Sequence, residues 1–407
     1  MTLTYEQLCG MSQKYGASFY ILDTEAFCRN FRDLEKAFTH YYPKTKIAYS
    51  YKTNYIPRLC SLVETMGGYG EVVSSMEYQI AHQLGISAAH IAFNGPCKDF
   101  ATVELLLLGG GMVNLDSQRD LLMVEKIAQQ HPHVTLSVGL RCNFDIGDGV
   151  ISRFGFDTAS EAFERAVDKL RILPNTRLSG LHCHFATRSL ETWPRRVEKM
   201  LALVERLGLA NSLDYLDLGG GLFGHMPPSL QAQFTSQIPS YEDYAEAVAK
   251  PISAYYADKE STPELLIEPG SALSGDVMYF AVPVENIKQV RGKKIATVLG
   301  SIYNINPTLN TKNPPIQVFS AGDAPEHTDL DFGGFTCIES DYLYRHYDGP
   351  LAEGDYIVFG NVGSYSVVLK PPFILPNFPV LELDNAGNIS VIKQEEKFSD
   401  LFHTYQF

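Results

Sequence analysis

The ten residues KIAYSYKTNY, Lys46 to Tyr55, decide the reading of this chain. Lys46, Ile47, Ala48, Tyr49, Ser50 and Tyr51 have the β-branched and aromatic density of a buried strand, and Ile56 to Met66 read as the helix after it. Lys52 therefore falls where a strand gives way to a helix. Desolvation at such a place weakens an amine's hold on its proton and makes it a nucleophile. The competing reading is an edge lysine that points to water. The rest of the chain decides between the two.

Outward from Lys52 one rhythm repeats. Ser18 to Leu22 reads as a strand before it, and Phe27, Phe31, Leu34 and Phe38 recur at helical spacing behind Thr24. Then KIAYSY, YGEVV, HIAFNG, MVNLD, VTLSVGLRC, LSGLHCHF, LDYLDLGG and ELLIEPG alternate with segments of helical periodicity such as Met76 to Leu84, Thr102 to Leu108, Leu121 to Gln129 and Trp193 to Leu207. Eight strand-helix units suit a closed (β/α)8 TIM barrel better than an open doubly wound sheet. Closure places the chemistry at the C-terminal strand ends: Lys52, Glu71 with Ser74, Asn94, Asp116, Arg153, His184, Gly219 to Gly221 and Glu268. The proline-bearing stretch Gly224 to Ser240 reads either as a lid or as a surface insertion.

From about Gly270 the pattern changes to strands without helical spacers: DVMYFAVPV, IKQVRG, KIATVLG, IQVFSA, DYIVFGN, YSVVL, VLELD and ISVIKQ. This predicts a C-terminal antiparallel β domain over 266–407, a barrel over 29–265, and an N-terminal segment 1–28 packing with the β domain.

The formal charge of -14, with no block of Lys and Arg, argues against nucleic acid as a partner. The 407 residues, 45% hydrophobic, are enough for two domains and a large core. Cys9, Cys28, Cys60, Cys97, Cys142, Cys183 and Cys337 are odd in number and scattered, the usage of free thiols in a reducing cytosol. No signal-peptide pattern and no membrane-length apolar run is present, so a cytoplasmic protein without membrane association is expected.

LDLGGG at 216–221 ends a strand in three glycines whose bare backbone can approach a phosphate, although a tight turn would also select glycine. Glu268, last on its strand before Pro269 and Gly270, can hold a proton on a heterocyclic nitrogen. His184 in HCHF could stack on a planar ring or be a satisfied core histidine, and Cys337 in FTCIESD could be a reactive thiol or an ordinary buried one. A lysine, a phosphate cradle, an aromatic face and a pyridinium partner at the strand ends of one barrel are together the requirements of pyridoxal 5'-phosphate (PLP). No metal site is read.

With these motifs the chain resembles, over nearly its whole length, the fold type III PLP enzymes, which include ornithine, diaminopimelate and carboxynorspermidine decarboxylases and, more distantly, alanine racemase. Tyr51-Lys52-Thr53-Asn54 resembles the family's Lys-x-Asn site, which makes Lys52 the cofactor-bearing lysine. Glu71 to Ser74 through Glu77 resembles the second-strand motif, with Glu in the usual place of Asp; Asn94 to Lys98 and Arg153-Phe154-Gly155 also match. His184 resembles the ring-stacking histidine, with Ala186-Thr187 for the usual Gly-Ser and the Thr187 hydroxyl kept for the phosphate. Gly219, Gly220, Gly221, Gly270 and Tyr365, the last in Gly363-Ser364-Tyr365, complete the implied cofactor site. Cys337 and Asp341 keep the Cys-x-x-x-Asp spacing of a segment that the family delivers from a partner subunit, which implies a head-to-tail homodimer with shared sites.

The resemblance implies an amino acid decarboxylase: Glu268 keeps the ring nitrogen protonated and the ring a strong electron sink, where racemases of this fold typically place an arginine. Lys52, His184, Glu268 and Cys337 are then the catalytic set, with Cys337 returning a proton to the α-carbon. The departures concern substrate. Ile338 stands where ornithine and diaminopimelate decarboxylases carry an acid for the distal amine, with Glu339 one position later; Ser271 replaces the arginine of Glu-Pro-Gly-Arg; and Asn306 to Asn310 replaces Arg-Pro-x-x-Tyr. Arg188, Glu339, Asp341 and Arg345, with His346, remain as substrate-binding candidates, against a reading of Arg188 and Arg345 as solvated charge. A conjugated amino acid of polyamine or siderophore synthesis is the expected substrate. Diaminopimelate, ornithine or lysine decarboxylation, racemisation and a non-catalytic regulator are the alternatives; retention of Lys52, His184, Glu268, Cys337 and Tyr365 argues against the last.

Overall fold

The computed structural model describes residues 3–306, 311–384 and 386–407. By contacts along the chain they divide into two units, 28–224 with 238–273, and 3–27 with 225–237 and 274–407.

The first unit is the barrel. Its strands are β1 (Thr45–Ser50), β2 (Tyr69–Val72), β3 (Ile91–Phe93), β4 (Met112–Leu115), β5 (Leu136–Asn143), β6 (Thr176–His182), β7 (Tyr215–Asp217) and β8 (Glu264–Ile267). Every neighbour is parallel, and the circle closes through the pairings of β4 with β5 and of β8 with β1. The strands are legible as apolar runs because parallel strands covered by helices are buried on both faces. Side-chain caps start several of the covering helices: Ser74 accepts from the Glu77 N-H, Asp99 from Thr102, Ser160 from Phe163, and Ser240 with Asp243 forms a capping box on Tyr241–Tyr256.

At the lower end of the barrel Ala48, Ala92, Met112, Tyr215 and Leu266 pack together. The Tyr215 ring fits only because β5 and β6 carry glycine there: a Cβ on Gly139 would lie 2.1 Å from the Tyr215 hydroxyl, and one on Gly180 2.0 Å from its ring.

The second unit is a mixed sheet. Its main path runs Tyr342–Pro350, Glu326–Gly333, Lys293–Val298, Met278–Val290, Phe19–Leu22, Val380–Leu383, Ile389–Lys393, and Tyr356–Phe359 joins Met278–Val290 to Ile316–Phe319. Most pairs are antiparallel as expected, but Phe19–Leu22 with Val380–Leu383 and Lys293–Val298 with Glu326–Gly333 are parallel. The stretches read as DVMYFAVPV and IKQVRG form one bulged strand of 13 residues. YSVVL is a correction: Ser366–Leu369 is a helical turn, because Tyr365 turns the chain through a left-handed φ of +61° and Ser366 bonds back to the Val362 carbonyl.

Residues 225–237, part of the stretch read as a lid or insertion, belong to this unit. Gln233 donates to the Asn313 carbonyl and accepts from its N-H, each at 2.9 Å. Among the described residues no helix is long and apolar enough to cross a membrane, and all seven cysteines are free.

Candidate active site

Lys52 stands in a 3-10 turn, Tyr51–Thr53, immediately after β1. The turn is clamped from β8: the Ser50 N-H donates to the Pro269 carbonyl at 3.1 Å, and a Cβ on Gly270 would lie 2.0 Å from the Thr53 hydroxyl. Glycine is therefore required at 270. The Lys52 amine donates to Ser50 Oγ at 2.6 Å and to Glu71 at the end of β2. Its side chain is 30% exposed while Glu71 is buried, so the amine opens into a cavity of about 240 Å³.

Lys52, Glu71, Asn94, Arg153, His184 and Glu268, all expected at strand ends, line that cavity together. Arg141 and His182 line it as well and were not singled out from the sequence. His182 was legible in principle: two residues before His184 on a strand, it faces the same side. Arg141, held to the Asn94 carbonyl at 3.1 Å and to Asp116 at 3.4 Å, is a cation inside β5.

Glu268 is buried at the centre. Its Oε1 accepts from the Asn94 amide, while Oε2 faces His182 Nε2 at 3.5 Å and His184 Nδ1 at 3.3 Å. The Gly220 N-H donates to His184 Nδ1 at 3.0 Å, so that nitrogen carries no proton and His184 is the neutral Nε2-H tautomer. Burial holds both imidazoles below their ordinary value. Burial also pushes up the carboxyls of Glu268 and Asp217. Glu268 nonetheless stays well below the carboxylate range, chiefly because His182 adjoins it, and its charge adds to burial in driving Asp217 well above.

Gly219 and Gly221 adopt φ of +70° and +96°, and a Cβ on Gly220 would lie 2.3 Å from the Glu268 carbonyl. Glycine at 219–221 is thus dictated by backbone approach. Beneath the loop the buried Arg196 donates to the Gly220 carbonyl at 3.0 Å and to the Thr187 carbonyl at 2.5 Å. Helical periodicity gave no sign of it. The Thr187 hydroxyl donates to Asp148. Arg188 Nη2 donates to Ser271 Oγ at 3.2 Å, so a guanidinium stands beside Ser271 although position 271 itself is serine.

The remaining candidates lie in the other unit. Cys337 and Glu339 are exposed on a turn; Asp341 is buried and accepts from Ser301 Oγ, the Ile302 N-H, and the Thr336 hydroxyl and N-H, which fixes that turn. Arg345 donates to Asp331 at 3.1 Å and lies 3.9 Å over the Tyr342 ring. His346 Nδ1 is 2.6 Å from Asp329. The segment 307–310, within the stretch compared with Arg-Pro-x-x-Tyr, lies outside the described residues.

Glu77 beneath Glu71 accepts from the Val73 N-H at 2.7 Å, and burial pushes its carboxyl up to about 7 from the ordinary 4.5. The folded protein then keeps a proton that the unfolded chain has released, so stability falls as pH rises from about 4.5 to about 7. Glu77→Gln is expected to match the wild type near pH 4.5 and to exceed it by about 3 kcal/mol at pH 8, checked by unfolding at both pH values.

The site fits a phosphorylated pyridine aldehyde on observations of its own. An amine opens to the cavity, a buried carboxylate offers Oε2, and His182 Nδ1 and Asp217 Oδ2 have no hydrogen-bond partner among the described residues. The Gly219 to Gly221 turn closes one side of the site, its Gly219 and Gly220 N-H groups given to Asp217 Oδ1 at 2.9 Å and His184 Nδ1 at 3.0 Å. Fold and site define a barrel enzyme that works with PLP. A family model described as pyridoxal-dependent decarboxylase, pyridoxal binding domain, matches residues 25–275, and the chain belongs to that family of PLP-dependent carboxy-lyases.

Diaminopimelate decarboxylase of Methanocaldococcus jannaschii is 23% identical over 96% of this chain and 91% of its own, and that of Bacillus subtilis 26% over 96% and 92%. The crystal structure of diaminopimelate decarboxylase from M. jannaschii superposes with a TM-score of 0.87 at 22% identity, covering 98% of this chain and 94% of that one.

Proposed function

We propose that this chain removes the α-carboxylate of a small amino acid, with diaminopimelate the first candidate substrate. The observation that carries the decarboxylase reading is Glu268: a buried carboxylate held ionised at the barrel centre and within the same cavity as the Lys52 amine. When bound, PLP supplies an electron sink for the pair left at the α-carbon as carbon dioxide departs.

The chain's own groups do the rest. The Lys52 amine would attach the cofactor through its aldehyde carbon, the aldehyde oxygen leaving as water, and Glu71, with Ser50, orients the amine and would accept its proton as it becomes a nucleophile. Glu268 Oε2 would keep a proton on the ring nitrogen. His184 would take the ring face, and Gly219 to Gly221, Thr187, Gly270 and Tyr365 would hold the phosphate. Cys337, delivered by a second copy in a head-to-tail homodimer, returns a proton to the α-carbon.

Relatives named as diaminopimelate decarboxylases, aligned over more than nine-tenths of their length, support the diamino acid. A second reading, a conjugate such as a carboxylated polyamine or a citrate-linked amino acid, is favoured by Ile338, which cannot hold a distal ammonium, and by Ser271. Carbon dioxide release from meso-diaminopimelate, ornithine, lysine, arginine, carboxynorspermidine and citryl-diaminopropionate separates them. Release from diaminopimelate supports the first reading, and release from a conjugate alone the second. An inverted amino acid without carbon dioxide would replace both with a racemase.

A further inference from the structure

Three polar side chains that the chemistry above does not use run in single file through the barrel. Tyr215 on β7 donates its hydroxyl to Asn114 Oδ1 at 2.8 Å; Asn114 on β4 donates its amide to Asn94 Oδ1 at 2.7 Å; and the Asn94 amide, after β3, donates to Glu268 Oε1. Asn114 is fully buried, Asn94 2% and Tyr215 4% exposed. Buried amides are costly unless satisfied, and here each link satisfies the next.

The direction of the file is dictated from one end. An ionised carboxylate only accepts, so Asn94 must turn its amide hydrogens to Glu268 and its oxygen to Asn114. Asn114 must then turn its own amide to Asn94 and its oxygen to Tyr215, whose hydroxyl has to donate. All three dipoles therefore point their positive ends at Glu268, and aligned hydrogen bonds in a dry interior polarise one another. The room for this is built into the backbone: a Cβ on Gly139 would lie 2.0 Å from Asn114 Oδ1 and 2.1 Å from the Tyr215 hydroxyl.

We infer that Tyr215, Asn114 and Asn94 form a directed donor relay whose work is to position Glu268, committing Oε1 to the relay and leaving Oε2 for the cofactor's ring nitrogen. They are positioning residues, and the inference rests on the reading of Glu268 as the ring-nitrogen partner. Breaking the relay far from Glu268 perturbs the ring less than breaking it close by.

The test uses holoenzyme loaded with PLP carrying ¹⁵N in the ring, in wild type, Tyr215→Phe, Asn114→Leu and Asn94→Ala. Asn114→Leu keeps volume but has no hydrogen to donate to Asn94, which keeps the test open if Asn94→Ala fails to fold. The expected result is a ring ¹⁵N shift that moves toward that of the unprotonated nitrogen in the order Tyr215→Phe, Asn114→Leu, Asn94→Ala, with kcat about tenfold lower once a donor to the charged group is lost. A ¹⁵N shift unchanged across the variants would overturn the relay, whether or not kcat falls, since a merely structural role lowers activity without moving the ring proton. A wild-type ring nitrogen already unprotonated would overturn the reading of Glu268 instead, and the two failures are distinguishable.

Discussion

Lys52→Ala is expected to release no measurable carbon dioxide from any amino acid that the wild-type protein decarboxylates, a loss on the order of a thousandfold or more. The amine is the nucleophile of the account, set at the end of β1 by Ser50 and Glu71. The barrel strands do not depend on it, so the variant keeps its fold. Lys52→Arg retains the cation beside Glu71 but has no amine of usable nucleophilicity, and the same loss is expected. Carbon dioxide assays on both variants with added PLP check this; activity within tenfold of wild type in either would put the cofactor amine elsewhere.

Glu268→Gln is expected to lower kcat by about two to three orders of magnitude, the scale of losing a preorganised charge at a reacting centre. The substitution preserves volume and an oxygen for the Asn94 amide, so it isolates the charge. A neutral amide cannot keep a proton on the ring nitrogen. It also removes the charge that, after burial, drives Asp217 upward, so Asp217 becomes easier to ionise. Steady-state rates with PLP saturating give the answer, and a near-wild-type kcat would remove Glu268 from the mechanism.

The barrel was legible because its eight strands, covered on both faces, print as short apolar runs at regular spacing, and closure then assigns the strand ends. Lys52 and Glu268 stood out as charges at the close of such runs. Glu326–Gly333 and Tyr342–Pro350 were not read as strands because EHTDLDFG and YLYRHYDGP mix charged and polar residues into any apolar run. Ser366–Leu369 was misread because β-branched content is a local preference, whereas the left-handed Tyr365 is a tertiary requirement.

Within the site, sequence found the residues that touch the cavity from strand ends and passed over those that act from inside strands. Asn114 and Tyr215 look like ordinary members of apolar runs. Only the closed barrel brings β3, β4, β7 and β8 together so that one file of donors reaches Glu268. Arg196 was hidden for a related reason, since an arginine on a helix reads as surface until its guanidinium is found under a glycine loop.

The central claim is that PLP is held on Lys52 within the barrel cavity. Borohydride reduction of the PLP-loaded protein, followed by peptide mass mapping, tests it directly. The account predicts a single pyridoxyl group on the peptide that contains Lys52; a pyridoxyl group on any other lysine, with Lys52 unmodified, would contradict it.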